Sequence, residues 1–148
     1  VSGRMNIYKL SNAINIIDDT YNANPASMSQ ALKTLQSISN KKNSIAILGD
    51  MLELGKESNA LHREIGQKAA ISGSSKLYVF GNKTKHLIEG AIEKGFSAKN
   101  IFHGSKDKIA QKVLENLDSE IWILVKGSRG MAMESIIQRL QQTLTISS

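Results

Sequence analysis

Apolar positions along the chain gather in six short runs, Met5 to Lys9, Ala13 to Asp18, Ser44 to Leu48, Lys76 to Phe80, Asn100 to His103 and Ile121 to Lys126. Runs of this length, rich in Ile, Val and Leu, predict strands. Between them lie amphipathic stretches of helical length near Ser27 to Ser39, Ser58 to Ser72, Lys83 to Lys94, Lys106 to Asn116 and Met133 to Leu144. Strand and helix in alternation predict an α/β, Rossmann-like three-layer domain with a mostly parallel sheet of about six strands. The first two runs are separated only by Leu10-Ser11-Asn12, too short for a crossover, so an N-terminal antiparallel hairpin is expected. Asn24 before Pro25 supplies a polar cap and a first-turn proline for the first helix.

A length of 148 residues fits one domain with its own core, and 41% hydrophobic with 22% charged residues excludes disorder. The net charge of +6 is spread over both halves and its longest basic run is Lys41-Lys42, so a solvated basic surface is expected and no nucleic-acid partner. Cysteine is absent, which removes disulfides, thiolate metal sites and cysteine nucleophiles. No apolar run approaches the roughly 20 residues that cross a bilayer, and no signal-peptide pattern opens the chain. No membrane insertion and a cytoplasmic location are expected. The start at Val1-Ser2-Gly3, without methionine, suggests a piece of a longer protein.

In an open parallel sheet, ligands bind at the carboxyl ends of strands, where loops and helix N-termini present free N–H groups. Three strand ends here carry unusual polar density. Asp18-Asp19-Thr20-Tyr21-Asn22-Ala23-Asn24 places two carboxylates and two asparagines after an apolar strand, able to bind a ribose, an amide or a phosphate-bound water, or simply to make turns and caps. Asp50-Met51-Leu52-Glu53 forms an acidic turn bounded by Gly49 and Gly55, a ligand loop or a plain connection. Lys126-Gly127-Ser128-Arg129 places two cations and a hydroxyl where a helix should begin, suited to an anion such as a carboxylate, or to a solvated basic turn. All three fall on one edge of the sheet.

His62, His86 and His103 stand on separate elements without metal-ligand spacing, so no metal site is expected, and His62, beside Arg63 and Glu64, reads as a surface or packing residue. Gly81-Asn82-Lys83-Thr84 shares part of a phosphate loop but not the rest. Neither GxxxxGK[ST] nor GxGxxG occurs anywhere, so the chain cannot hold and activate a nucleotide by itself.

In order and at plausible separations, DDTYNANPASM, LGDMLELG followed by LHREIG, and LVKGSRGMAME resemble the Mur ligases of peptidoglycan synthesis. Within that family the pattern is similar to members that add D-alanyl-D-alanine to a UDP-N-acetylmuramoyl tripeptide. The resemblance covers nearly the whole chain, 1–148, and implies the C-terminal domain of an ATP-dependent ligase acting through an acyl phosphate. It also implies an N-terminal UDP-binding domain and a central ATPase domain outside this chain, the latter holding most of the ATP and Mg2+, with the isolated piece inactive. By resemblance, Arg4, Asp19, Tyr21, Asn22 and Asn24 face ATP, while Asp50, Met51, Leu52, Glu53, Lys126, Gly127, Ser128 and Arg129 frame the dipeptide. A different class, a signalling receiver domain, would use Asp18, Asp19, Asp50 and Lys126; the spacing of these residues and the hairpin before the acidic pair argue against it.

Overall fold

The computed structural model describes residues 4–11, 14–40, 43–117 and 120–147. Val1-Ser2-Gly3, Asn12, the expected strand start Ala13, the Lys41-Lys42 pair and the terminal Ser148 lie outside the described residues. Strands β1 (Asn6–Ser11) and β2 (Ile14–Asp19) form the expected antiparallel hairpin, in which Tyr8 pairs with Ile16. Strands β3 (Asn43–Gly49), β4 (Lys76–Phe80), β5 (Ile101–His103) and β6 (Ile121–Lys126) run parallel to β2, and the order across the sheet is β1-β2-β6-β3-β4-β5. Strands buried on both faces need no polar alternation, which is why apolar residues follow one another at Ile16-Ile17 in β2, from Ile45 to Leu48 in β3 and from Ile121 to Val125 in β6.

Helices α1 (Pro25–Ser39), α2 (Ser58–Ser72) and α3 (Thr84–Glu93) cover one face, and α4 (Lys106–Leu114) and α5 (Glu134–Ser147) the other. Met28, Leu32 and Leu35 of α1 pack with Ile65 and Leu87 on Ile17, Leu48 and Leu124; Ile109 and Val113 of α4 pack with Ile136 and Leu140 on Ile16, Ile45 and Ile123. Each such fully buried side chain contributes about 1.5–3 kcal/mol. Each core therefore fixes one helical layer to the common sheet.

The boundaries differ from expectation in ways that matter. Helix α1 starts two residues early because Asn24 Oδ1 accepts the Ser27 N–H at 2.9 Å, while Ser27 Oγ accepts the Asn24 N–H at 3.0 Å, a reciprocal cap ahead of Pro25. Asn100 belongs to a short 3-10 turn, which shortens β5. Helix α4 ends at Leu114, and α5 begins at Glu134 after Ala132 turns into the left-handed region at φ 48°. Asp19 and Gly49 are the last residues of their strands and not loop residues, so both take part in the cross-strand register.

Helices α2 and α3 cross at backbone contact. A Cβ at Gly66 would fall on the Leu87 carbonyl, and one at Gly90 on the Arg63 carbonyl, so only glycine permits this approach.

Candidate functional site

Parallel register brings the strand ends level: Asp19 of β2 is paired with Lys126 of β6, and Lys126 with Leu48 of β3. The helix after β6 lies on one face while those after β2 and β3 lie on the other. Chains that leave in opposite directions open a crevice at the carboxyl edge, the usual ligand position in such sheets. The three polar loops of the sequence lie at this edge.

At its centre, Lys126 Nζ donates to Asp19 Oδ2 at 2.8 Å and to the Asn22 carbonyl at 2.8 Å. The two side chains are 3% and 12% exposed, so this is a charge-assisted bond shielded from solvent. Asp19 Oδ1 also accepts the Met5 N–H at 3.2 Å, which ties the entry to β1 into the site. Arg4 then stacks its guanidinium 3.9 Å above the Tyr21 ring. Asp18 turns away, its Oδ1 accepting both the Thr20 N–H at 3.2 Å and hydroxyl at 2.7 Å. Tyr8 on the α5 side of the hairpin has its pKa raised to about 12 by burial and by the Asp18 charge.

Ser128 stitches the loops together. Its N–H donates to the Asp50 carbonyl at 3.0 Å, its Oγ accepts the Leu52 N–H at 2.7 Å, and the same hydroxyl reaches the Ala23 carbonyl at 3.4 Å. Gly127 makes the crossing possible, since a Cβ there would meet Met133 Cγ at 2.7 Å. Lys106, at the start of α4, donates to the carbonyls of Met131 at 3.0 Å and Ala132 at 3.3 Å and steadies the far side of this turn. Arg129 projects outward, 66% exposed, and bridges to both carboxylate oxygens of Glu134 at 3.2 Å.

Asp50 is buried, and its Oδ1 accepts the N–H groups of Lys83 at 3.0 Å and Thr84 at 3.1 Å. Its carboxylate therefore occupies the N-terminus of α3. The partial phosphate-loop likeness of Gly81-Asn82-Lys83-Thr84 has a structural cause: these donors already hold an anion, supplied by the chain itself. The next residues run outward, with Glu53 in the left-handed region at φ 62° and Leu52 exposed. From below, His62 Nε2 accepts the Met51 N–H at 3.0 Å.

Of the residues expected to face a nucleotide, Arg4, Asp19, Tyr21 and Asn22 converge, while the Asn24 side chain is engaged in capping α1. Of those expected to frame a dipeptide, Leu52, Glu53 and Arg129 are exposed at the rim, and Asp50, Met51, Lys126 and Ser128 are buried beneath it. Lys126 and Asp19, expected in two subsites, form one ion pair. Met5 and Lys106 carry no signal in the sequence, and His62, expected as a surface or packing residue, is a buried brace. Four-residue spacing from Ser58, one turn along α2, was the available signal. Among the described residues no three or more His, Asp or Glu side chains gather to hold a metal ion, and no helix is long and apolar enough to cross a membrane.

Rossmann-like layers, an opening hairpin and three loops joined at one strand edge define a Mur ligase domain: residues 3–129 match the family described as Mur ligase, glutamate ligase domain, and the chain belongs to it. Among curated relatives, the chain is 33% identical over 138 residues to the UDP-N-acetylmuramoyl-tripeptide--D-alanyl-D-alanine ligase of Bacillus subtilis, covering 93% of this chain and 30% of that protein. It is 34% identical to the enzyme of the same name from Escherichia coli, covering 98% of this chain and 31% of that protein. The fold matches the crystal structure of MurF ligase from Thermotoga maritima in complex with ADP, with a TM-score of 0.82 at 24% identity over 100% of this chain and 32% of that one. A structure of MurF from Acinetobacter baumannii matches at a TM-score of 0.82 and 25% identity, over 96% of this chain and 31% of that one. The chain thus spans about 30% of the length of the curated relatives it matches. Family membership removes the receiver reading, and Asp50, bound to the N-terminus of α3, is not the exposed aspartate a receiver needs.

Proposed function

We propose that this chain is the C-terminal domain of the ligase that joins D-alanyl-D-alanine to UDP-N-acetylmuramoyl tripeptide in peptidoglycan synthesis, in the cytoplasm. In that reaction ATP transfers its terminal phosphoryl group to the tripeptide carboxylate. The dipeptide amine attacks the resulting acyl phosphate, and phosphate leaves as the amide forms. Full-length protein would add an N-terminal UDP-binding domain and a central ATPase domain that carries the phosphate loop and Mg2+.

This domain's part is to position. Arg4 on Tyr21, with Asn22 beside them, presents a cation and polar groups toward a nucleotide held by the neighbouring domain. Asp19 serves this loop through Lys126 and Met5. Arg129 is the cation for the dipeptide carboxylate, with Glu53 and Leu52 along the same rim and Gly127 and Ser128 setting its shape. The observation that supports this reading is the Ser128 junction, whose hydrogen bonds join the 20–24, 50–53 and 126–129 loops and so set the residues proposed to face the nucleotide beside those proposed to face the dipeptide.

The test is ADP formation by the full-length enzyme given UDP-N-acetylmuramoyl tripeptide and ATP, with and without D-alanyl-D-alanine. Release of ADP that depends on the dipeptide and matches amide formation is expected. Turnover indifferent to the dipeptide would rule the proposal out.

A further inference from the structure

His62 is wholly buried on α2, and its two ring nitrogens make opposite demands. Nδ1 lies 2.7 Å from the Ser58 carbonyl, which can only accept, so Nδ1 carries the proton. Nε2 lies 3.0 Å from the Met51 N–H, which can only donate, so Nε2 must offer its lone pair. A single neutral tautomer satisfies both, and the imidazolium satisfies only one.

The loop above this ring carries a residue in the left-handed region. Glu53 has φ 62°, a left-handed geometry that is unfavourable for a non-glycine residue and persists where the surroundings hold it. The two amides just before it are both tied down, the Met51 N–H donating to His62 Nε2 and the Leu52 N–H to Ser128 Oγ. A side chain chosen only to fill space would leave the buried Met51 N–H without an acceptor.

We propose that His62 is the positioning residue of the Asp50–Glu53 loop: as the neutral Nδ1–H tautomer it holds the Met51 amide and thereby fixes Leu52 and Glu53 at the dipeptide rim. The loop-holding role stands on the geometry alone; its consequence for the dipeptide rests on the function proposed above. Charged or titratable groups facing the ring are Asp50 from the end of β3, which favours its protonation, and Lys83 and His86 from the α3 side, which oppose it. Burial outweighs them and lowers the imidazole pKa below the usual 6.5.

Two measurements test this. In the full chain, nitrogen NMR of His62 with amide spectra from about pH 7.5 to about pH 5 is expected to show the Nδ1–H tautomer at neutrality. The Met51, Leu52 and Glu53 amides should then shift together, with the midpoint of His62 itself. An Nε2–H tautomer, or loop amides that ignore the His62 titration, overturns the proposal. In the full-length ligase, His62→Phe should raise the dipeptide KM on the order of tenfold, the scale of one net hydrogen bond, with kcat and the ATP KM within about twofold. His62→Gln, whose amide oxygen can accept the Met51 N–H, should return the dipeptide KM to within about threefold of wild type. Equal dipeptide KM values for the two variants contradict the positioning role. Failure of the wild-type ligase to use D-alanyl-D-alanine sinks the proposed function and leaves the amide titration to decide the role of His62.

Discussion

Lys126 Nζ lies 2.8 Å from Asp19 Oδ2, and the two residues occupy directly paired positions at the ends of β6 and β2. The same ammonium reaches the Asn22 carbonyl, so one buried cation fixes both a strand end and the loop that follows it. Removing either partner leaves a charge without a counterpart in a shielded place. Lys126→Met should therefore cost about 3–5 kcal/mol in urea unfolding, while Asp19→Asn combined with Lys126→Met should recover a large part of that loss. Additive losses in the double variant would mean that the two charges act independently.

Asp50 caps α3 from another element, so its loss should be felt at the helix and not only in its own loop. Asp50→Ala is expected to destabilise the chain by about 1–2 kcal/mol and to speed amide exchange at Lys83 and Thr84, whereas Asp50→Asn, which keeps an acceptor oxygen, should cost less. Unchanged exchange at those two amides would contradict the cap.

Gly66 sets the closeness of α2 and α3. Gly66→Ala places a methyl group on the Leu87 carbonyl and should lower stability by about 1–3 kcal/mol or more, because backbone has no rotamer with which to yield. Thermal unfolding that matches wild type would show the helices free to separate.

The titration of His62 and Tyr8 limits stability from both sides. His62 has a lowered pKa when folded, so between that value and 6.5 the unfolded chain binds more protons, and its contribution, full above pH 6.5, is lost as pH falls through this window. Tyr8 has a raised pKa, so the folded chain binds more protons between 10.0 and about 12, and stability falls as pH rises across that range. Unfolding midpoints measured against pH should decline at both ends. His62→Gln should flatten the acid limb, and Tyr8→Phe the alkaline one.

Element type and position are legible in the sequence because buried parallel strands are continuous apolar runs and surface helices keep a clear helical period. The hairpin is legible because its connection is too short for any alternative. Strand order is not, since the insertion of β6 between β2 and β3 depends on which face each crossover takes. For that reason Asp19 and Lys126 read as members of separate loops, although register makes them neighbours. The burial of Asp50 and His62 is a different matter: an acidic turn reads as a ligand loop or a plain connection and a helical histidine as a surface or packing residue, and only the packing of α2 on α3 and on the end of β3 closes around them. Tyr21, Leu52, Glu53 and Arg129 are proposed from motif alone; the structure leaves all four exposed and adds that one hydroxyl, that of Ser128, joins the loops bearing them.

The central claim, that this rim receives the dipeptide of a Mur ligase, is tested most directly by steady-state kinetics of the full-length enzyme carrying Arg129→Ala. Loss of a carboxylate-binding cation at an exposed rim should raise the KM for D-alanyl-D-alanine by about tenfold or more and leave the ATP KM within about twofold. An unchanged dipeptide KM, or an equal rise for both substrates, would contradict the account.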